Sequence, residues 1–188
     1  IIDMLKGALK ELHVGDPAWL STDIGPVIDE KALTNLQQHV EYLKDKATLH
    51  YQCDIPDNAA NGAYFFAPRL YEISDLSLLK REVFGPCVHV IRFKASELDQ
   101  VIDQINATGY GLTMGIHSRI EDRCNYLAKM SRAGNVYINR NMIGAIVGSQ
   151  PFGGRGLSGT GPKAGGPNYL VRLLKEKASP DNVQMTNL

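Results

Sequence analysis

Three thiols, five imidazoles and a glycine-rich stretch near the carboxyl end are the residues here whose types could do chemistry. Cys53, Cys87 and Cys124 are odd in number and far apart, with no Cys-x-x-Cys and no Cys/His cluster. That pattern fits reduced thiols in a cytosolic setting better than a disulfide framework or a zinc site. Cys87 falls within an apolar strand pattern and Cys124 on the apolar face of a predicted helix, where a thiol packs as a small hydrophobe. Cys53 ends a predicted strand and has no base near it in sequence. His89 and His117 lie on predicted strands and fit core or rim positions, and no histidine has a partner at metal-ligand spacing. No nucleophile–base–orienter set assembles, and no metal site is expected. Gly154-Arg155-Gly156-Leu157-Ser158-Gly159 spells a G-x-G-x-x-G. A dinucleotide fingerprint needs a strand directly before it and a helix directly after it. Here the preceding strand pattern ends roughly fifteen residues earlier, and Thr160-Gly161-Pro162 stands where the helix would begin.

Three further segments carry potential binding groups. Glu82-Val83-Phe84-Gly85-Pro86 places a carboxylate and an aromatic ring at a Gly-Pro corner. Gln150-Pro151-Phe152-Gly153-Gly154, followed by Ser158-Gly159-Thr160, is a glycine-rich loop. Gly15-Asp16-Pro17 and Gly25-Pro26-Val27-Ile28-Asp29 form a turn-rich connection. Taken singly, these are a solvated acid, a flexible loop and a linker.

The elements that must position these groups follow from periodicity. Ile2, Leu5, Leu9 and Leu12 share one helical face, and Leu33, Leu36, Val40 and Leu43 share another. Residues 47–53 and 63–73 are predicted strands, with turn signals at Asp57-Asn58 and Asn61-Gly62. From Cys87 onward a strand at 87–91 is followed by a helix with Leu98, Val101, Ile102 and Ile105 inward, for which Ser96 is the candidate cap. A strand at 112–116 then leads to a second helix with Ile120, Cys124, Leu127 and Ala128 inward, capped by Ser118. A strand at 136–138 closes the series. Strand and helix alternating at this interval predict an α/β fold: an open, mainly parallel twisted sheet with helices on both faces. Residues 140–168 break the rhythm and hold half of the 18 glycines. A long loop at the carboxyl end of a parallel strand is a usual ligand site in such sheets. A short helix is predicted over 169–174 and a strand in the last residues.

The 188 residues suit one domain or one lobe of a larger protein. Lys plus Arg and Asp plus Glu are 20 each, so there is no net field to draw this region onto nucleic acid or an anionic membrane. No apolar run reaches the roughly 20 residues needed to span a bilayer, and signal-peptide features are absent. The opening Ile1-Ile2-Asp3-Met4, inside an amphipathic pattern, looks like a cut through a longer protein.

In their order and spacing, the three segments resemble the aldehyde dehydrogenase superfamily. Tyr110-Gly111-Leu112-Thr113 and Gly134-Asn135-Val136 support the match, which covers almost the whole chain. Gly144-Ala145-Ile146-Val147-Gly148-Ser149 running into the Gln150–Gly154 block, with Gly165-Gly166-Pro167, is similar to the dehydrogenases acting on glutamate semialdehyde. The wording around Gly134–Asn141 looks most like their bifunctional, proline-catabolic members. Ile143 departs from the threonine frequent in relatives, and is expected to tune the pocket.

The resemblance implies the later part of a catalytic domain over 1–175, then the start of an oligomerisation strand segment over 176–188. It implies NAD-dependent oxidation of L-glutamate γ-semialdehyde to glutamate: a cysteine thiolate adds to the aldehyde, hydride passes to the nicotinamide, and water hydrolyses the thioester. By position, Glu82 would accept hydrogen bonds from the nicotinamide ribose and Phe84 would pack beside the ring. The backbone N–H groups of Gly144 and Ala145 would hold the substrate carboxylate, and Phe152 would cover its aliphatic middle. The family's nucleophile, catalytic amide and dinucleotide-binding domain lie upstream of the matched region, so the chain has no assigned catalytic residue and is expected to be inactive alone. A flavin-dependent proline dehydrogenase, where present, would use FAD in a separate domain outside this chain. The expected partners are the small-molecule substrate and the rest of the parent dehydrogenase, as a cytoplasmic homo-oligomer. The alternatives are an aldehyde dehydrogenase of other specificity, or a non-catalytic interaction module.

Overall fold

The structure is a computed structural model that describes residues 1–56, 63–146 and 149–174. The turn signals at 57–62, the predicted terminal strand and the boundary at 175/176 lie outside the described residues. The chain divides into two compact units, Ile1–Lys94 and Ala95–Leu188.

In the first unit, helix α1 (Ile2–Lys10) and helix α2 (Glu30–Leu43) accompany strands β1 (Ala47–Gln52), β2 (Arg69–Ile73) and β3 (Cys87–Val90). The α2 helix starts at Asp29, whose side chain accepts the Ala32 N–H at 2.7 Å and so satisfies an amide that the first turn leaves unpaired. Its apolar positions bury Leu36 and Leu43 almost completely. Leu43 packs with Tyr71 and Ile73 of β2, and Tyr42, Ala47, Leu78, Leu79 and Ile91 complete that cluster. The β1 strand pairs antiparallel with β2, with an irregularity between Leu49 and Tyr51, and β2 pairs parallel with β3. The predicted strand over 63–73 is shorter than expected because Pro68 has no N–H to donate. Its carbonyl still accepts the Cys53 N–H at 2.9 Å, and regular pairing begins at Arg69.

The second unit contains helix α3 (Leu98–Ala107), strands β4 (Tyr110–Gly111) and β5 (Thr113–Ile116), helix α4 (Glu121–Met130), and strands β6 (Asn135–Ile138) and β7 (Arg155–Gly156). The β5–α4–β6 run is a parallel crossover, with Thr113 opposite Asn135 and Ile116 opposite Ile138. Ile102, Ile116, Cys124 and Leu127 form its core, with Leu98, Met114, Ala128 and Val136 against them. The α/β class holds, and both parallel pairings join strands that flank a connection of a dozen or more residues, as parallel strands require. The described strands are shared among three small sheets of two or three strands, one of them wholly antiparallel.

Neither expected serine cap forms. Ser96 sits inside a 3-10 turn (Ala95–Glu97), so Glu97 stands at the N-cap of α3 and its side chain makes no capping bond. Ser118 Oγ accepts the N–H of Ile120, which makes a turn before α4 and not a cap on it. The predicted strand 112–116 is observed as Thr113–Ile116, paired with β6, while the residues just before it, Tyr110–Gly111, form a separate short strand paired with β7. Residues 169–174 contribute only the 3-10 turn Val171–Leu173. The glycine-rich stretch is more ordered than a free loop. It carries β7, an antiparallel bridge of Phe152 with Ala164 and a bridge of Gly154 with Gly159. No helix among the described residues is long and apolar enough to cross a membrane.

Candidate functional site

The candidate residues fall on two loops, one in each unit. In the first unit, Glu82 and Phe84 lie on the segment between β2 and β3. The backbone there is held at its far end, where the Arg69 N–H donates to the Pro86 carbonyl at 2.9 Å and the Cys87 N–H to Gly85 O at 2.8 Å. Gly85 presses onto the Leu36 side chain of α2. With its base fixed, the corner presents Glu82 to solvent and leaves the Phe84 ring 84% exposed. A carboxylate beside an open aromatic face fits a ribose diol and a flat heterocycle: two oxygens accept two hydroxyl protons, and the ring restrains a planar group.

In the second unit, Gly144, Ala145 and Phe152 lie on the loop that leaves β6. Its path is set at the first residue after the strand. Asn139 adopts φ 53, and its side chain both accepts the Ser118 N–H at 3.0 Å and donates to Ser118 O at 2.9 Å. Asparagine tolerates this left-handed conformation because its short amide bonds locally. Farther on, Gly144 has φ 72, a region natural to glycine. Its carbonyl accepts the Tyr137 hydroxyl at 3.1 Å. Neither Gly144 nor Ala145 lies in a strand, and among the described residues no hydrogen bond draws on either N–H. Phe152 is half-buried. Residues 140–168 contain Arg140, Arg155 and Lys163 and no Asp or Glu, so every formal charge on this stretch favours an anion. Ile143 is 88% exposed on the same loop.

The thiols behave as packing groups. Cys53 and Cys124 are buried. Burial, with Asp54 adding to it, raises the Cys53 thiol, and burial pushes Cys87 up to about 11. A thiol so raised is protonated at neutral pH and is a poor nucleophile. His89 contacts His39 of α2, Nε2 to Nε2, at 2.9 Å, and stacks on Tyr71. Burial and then the nearby His39 lower His89 to about 4, so this pair is neutral packing. No spacing rule links residues 39 and 89, and only tertiary packing brings them together. The G-x-G-x-x-G stretch forms β7 and a turn, with no helix after it. Among the described residues no group of three or more His, Cys, Asp and Glu side chains could hold a metal ion.

The chain is thus α/β, with an exposed Glu-x-Phe corner in its first unit and a cationic, glycine-rich loop after a parallel strand in its second. The aldehyde dehydrogenase family model matches residues 1–178, and the chain belongs to that family. The bifunctional protein PutA of Klebsiella aerogenes is 48% identical over 181 residues, covering 94% of this chain and 14% of that protein. A 1-pyrroline-5-carboxylate dehydrogenase of Geobacillus sp. is 38% identical over 170 residues, covering 89% of this chain and 32% of that enzyme. A crystal structure of a proline utilization A variant from Bradyrhizobium japonicum superposes with a TM-score of 0.87 at 48% identity, over 94% of this chain and 18% of that one. The chain therefore spans only about a seventh of the bifunctional relatives it resembles.

Proposed function

We propose that this chain is a segment of an NAD-dependent dehydrogenase that oxidises L-glutamate γ-semialdehyde, formed from pyrroline-5-carboxylate, to L-glutamate in proline catabolism. In this reading Glu82 accepts the nicotinamide ribose hydroxyls and Phe84 flanks the ring of NAD, which serves as hydride acceptor when bound. The backbone N–H groups of Gly144 and Ala145 hold the substrate carboxylate, and Phe152 covers the carbon chain. The nucleophile belongs to sequence outside the 188 residues. The full-length protein works in the cytoplasm as a homo-oligomer, and FAD, where a proline dehydrogenase domain is present, belongs to that domain outside this chain.

One observation carries the substrate assignment. A stretch of 29 residues, 140–168, pairs three cationic side chains and no acidic one with a left-handed glycine whose loop has main-chain N–H groups to offer. Such a site suits a short aldehyde with a carboxylate at its other end better than a fatty aldehyde.

The test is steady-state oxidation of L-glutamate γ-semialdehyde by the full-length protein, with NAD and NADP compared and the reduced nucleotide followed by absorbance. Ala145→Leu should raise KM for the semialdehyde severalfold and leave an uncharged aldehyde much less affected. An equal rise for both would point to an aldehyde dehydrogenase of other specificity.

A further inference from the structure

Strand β6 presents alternate side chains to opposite faces, so Val136 faces one way and Asn135 and Tyr137 the other. Val136 packs on the Ile102–Leu127 core. On the opposite face the glycine-rich loop returns past the strand, and both side chains grip it. The Asn135 amide donates to the Pro151 carbonyl at 3.0 Å, and its oxygen accepts the Gly153 N–H at 3.2 Å. Phe152 is thus bracketed by its two flanking peptides. Its own N–H and carbonyl exchange bonds with Ala164 at 3.1 and 2.8 Å. Lys163 reaches back from beside Ala164 to the Gly134 carbonyl and, at 3.5 Å, to Asn135 Oδ1, which closes the ring of contacts.

Two residues along, the Tyr137 hydroxyl donates to Gly144 O at 3.1 Å from a ring that is 6% exposed, with the Arg140 guanidinium 5.1 Å over its face. A trans peptide is planar, with its carbonyl and N–H directed oppositely. Fixing the Gly144 oxygen on Tyr137 therefore directs the Ala145 N–H away from the strand.

We propose that Asn135 and Tyr137 are the positioning residues of the substrate site: one face of β6 is the jig that sets both the carboxylate-binding peptide and the aromatic wall, and so determines selectivity for a carboxylate-bearing aldehyde. This rests on the substrate-binding roles proposed above for Ala145 and Phe152. Tyr137 acts through the Gly144–Ala145 peptide, and Asn135 acts through the backbone around Phe152.

The experiment uses the full-length protein with two substrates, L-glutamate γ-semialdehyde and pentanal, which has the same chain length without the charged groups. Tyr137→Phe keeps the ring and loses the hydroxyl. It should raise KM for the semialdehyde about fivefold, the factor for one hydrogen bond, with kcat retained and pentanal within twofold. Asn135→Ala should raise KM for both aldehydes, because Phe152 meets the carbon chain they share. Should Tyr137→Phe fail to fold, Asn135→Ala decides, since an unchanged KM for both aldehydes overturns the proposal. So does a Tyr137→Phe enzyme that loses kcat equally on both substrates or shows no selective rise. An unmodified protein that does not oxidise the semialdehyde would sink the functional reading itself. An active one with insensitive variants would sink only the role of β6.

Discussion

A methyl carbon added at Gly85 would stand 2.6 Å from both Cδ atoms of Leu36, a side chain 1% exposed and without room to retreat. Gly85→Ala should therefore destabilise the corner that carries Glu82 and Phe84 by about 1–3 kcal/mol. Hydrogen exchange across α2 in the full-length protein should report the loss, and the added cost should shrink in a Leu36→Ala background. Gly144 differs: nothing among the described residues lies within 4 Å of its added carbon, so the penalty of a side chain there comes from its φ of 72. Titration gives two further tests at this scale. His89 is lowered to about 4 from an ordinary 6.5, with burial the larger cause and His39 the second. His39 is lowered too, by burial and then by Arg81. The unfolded chain takes up these protons first, so this stability is held above about pH 6.5 and lost as pH falls toward 4. Glu72 is held near 2 by hydrogen bonds from Arg92 at 2.6 Å and from His50 at 2.7 Å. Its contribution is present above about 4.5 and disappears as pH falls toward 2. Urea midpoints measured from pH 7 to 3 should fall in both windows. His89→Asn should flatten only the upper one and Glu72→Gln only the lower.

At the scale of elements, the β6 exit depends on a clamp between two loops. Asn139 bonds both backbone groups of Ser118, and its own N–H donates to Ile116 O at 2.8 Å. Asn139→Ala removes two bonds of about 1 kcal/mol each and leaves the Cβ in the left-handed region without the local side-chain bonding that lets asparagine sit there. A lowered Tm is expected, with Asn139→Gly recovering only the backbone share. The periodic elements of this region were legible in sequence because burial of one face writes itself into spacing: the α2 stripe of Leu33, Leu36, Val40 and Leu43, and the Cys124 and Leu127 face of α4. The caps were not legible. Ser96 and Ser118 have the right chemistry, but the preceding chain turns before the helix begins and takes the serines out of register.

For the whole molecule, Trp19 at 69%, Ile28 at 91% and Phe84 at 84% exposure are large apolar groups left on the surface of the first unit. The chain's three thiols are packing residues, raised by burial at Cys53 and Cys87. The 188-residue chain expressed alone should accordingly show no turnover of L-glutamate γ-semialdehyde with NAD. Activity near that of the full-length protein would contradict both this expectation and the placement of the nucleophile outside the chain.

The sequence by itself determined the α/β class, the crossover from β5 through α4 to β6, and the family, because periodicity and ordered motifs are local properties of the chain. It also singled out Glu82, Phe84, Gly144, Ala145 and Phe152 by likeness to relatives. Only the tertiary structure decided that Asn135 and Tyr137 hold the loop, that His39 meets His89, and that β4 and β5 take different partners. Those contacts join residues up to 50 positions apart. They arise from which backbone groups are left to satisfy once the core has closed, and no spacing rule encodes that.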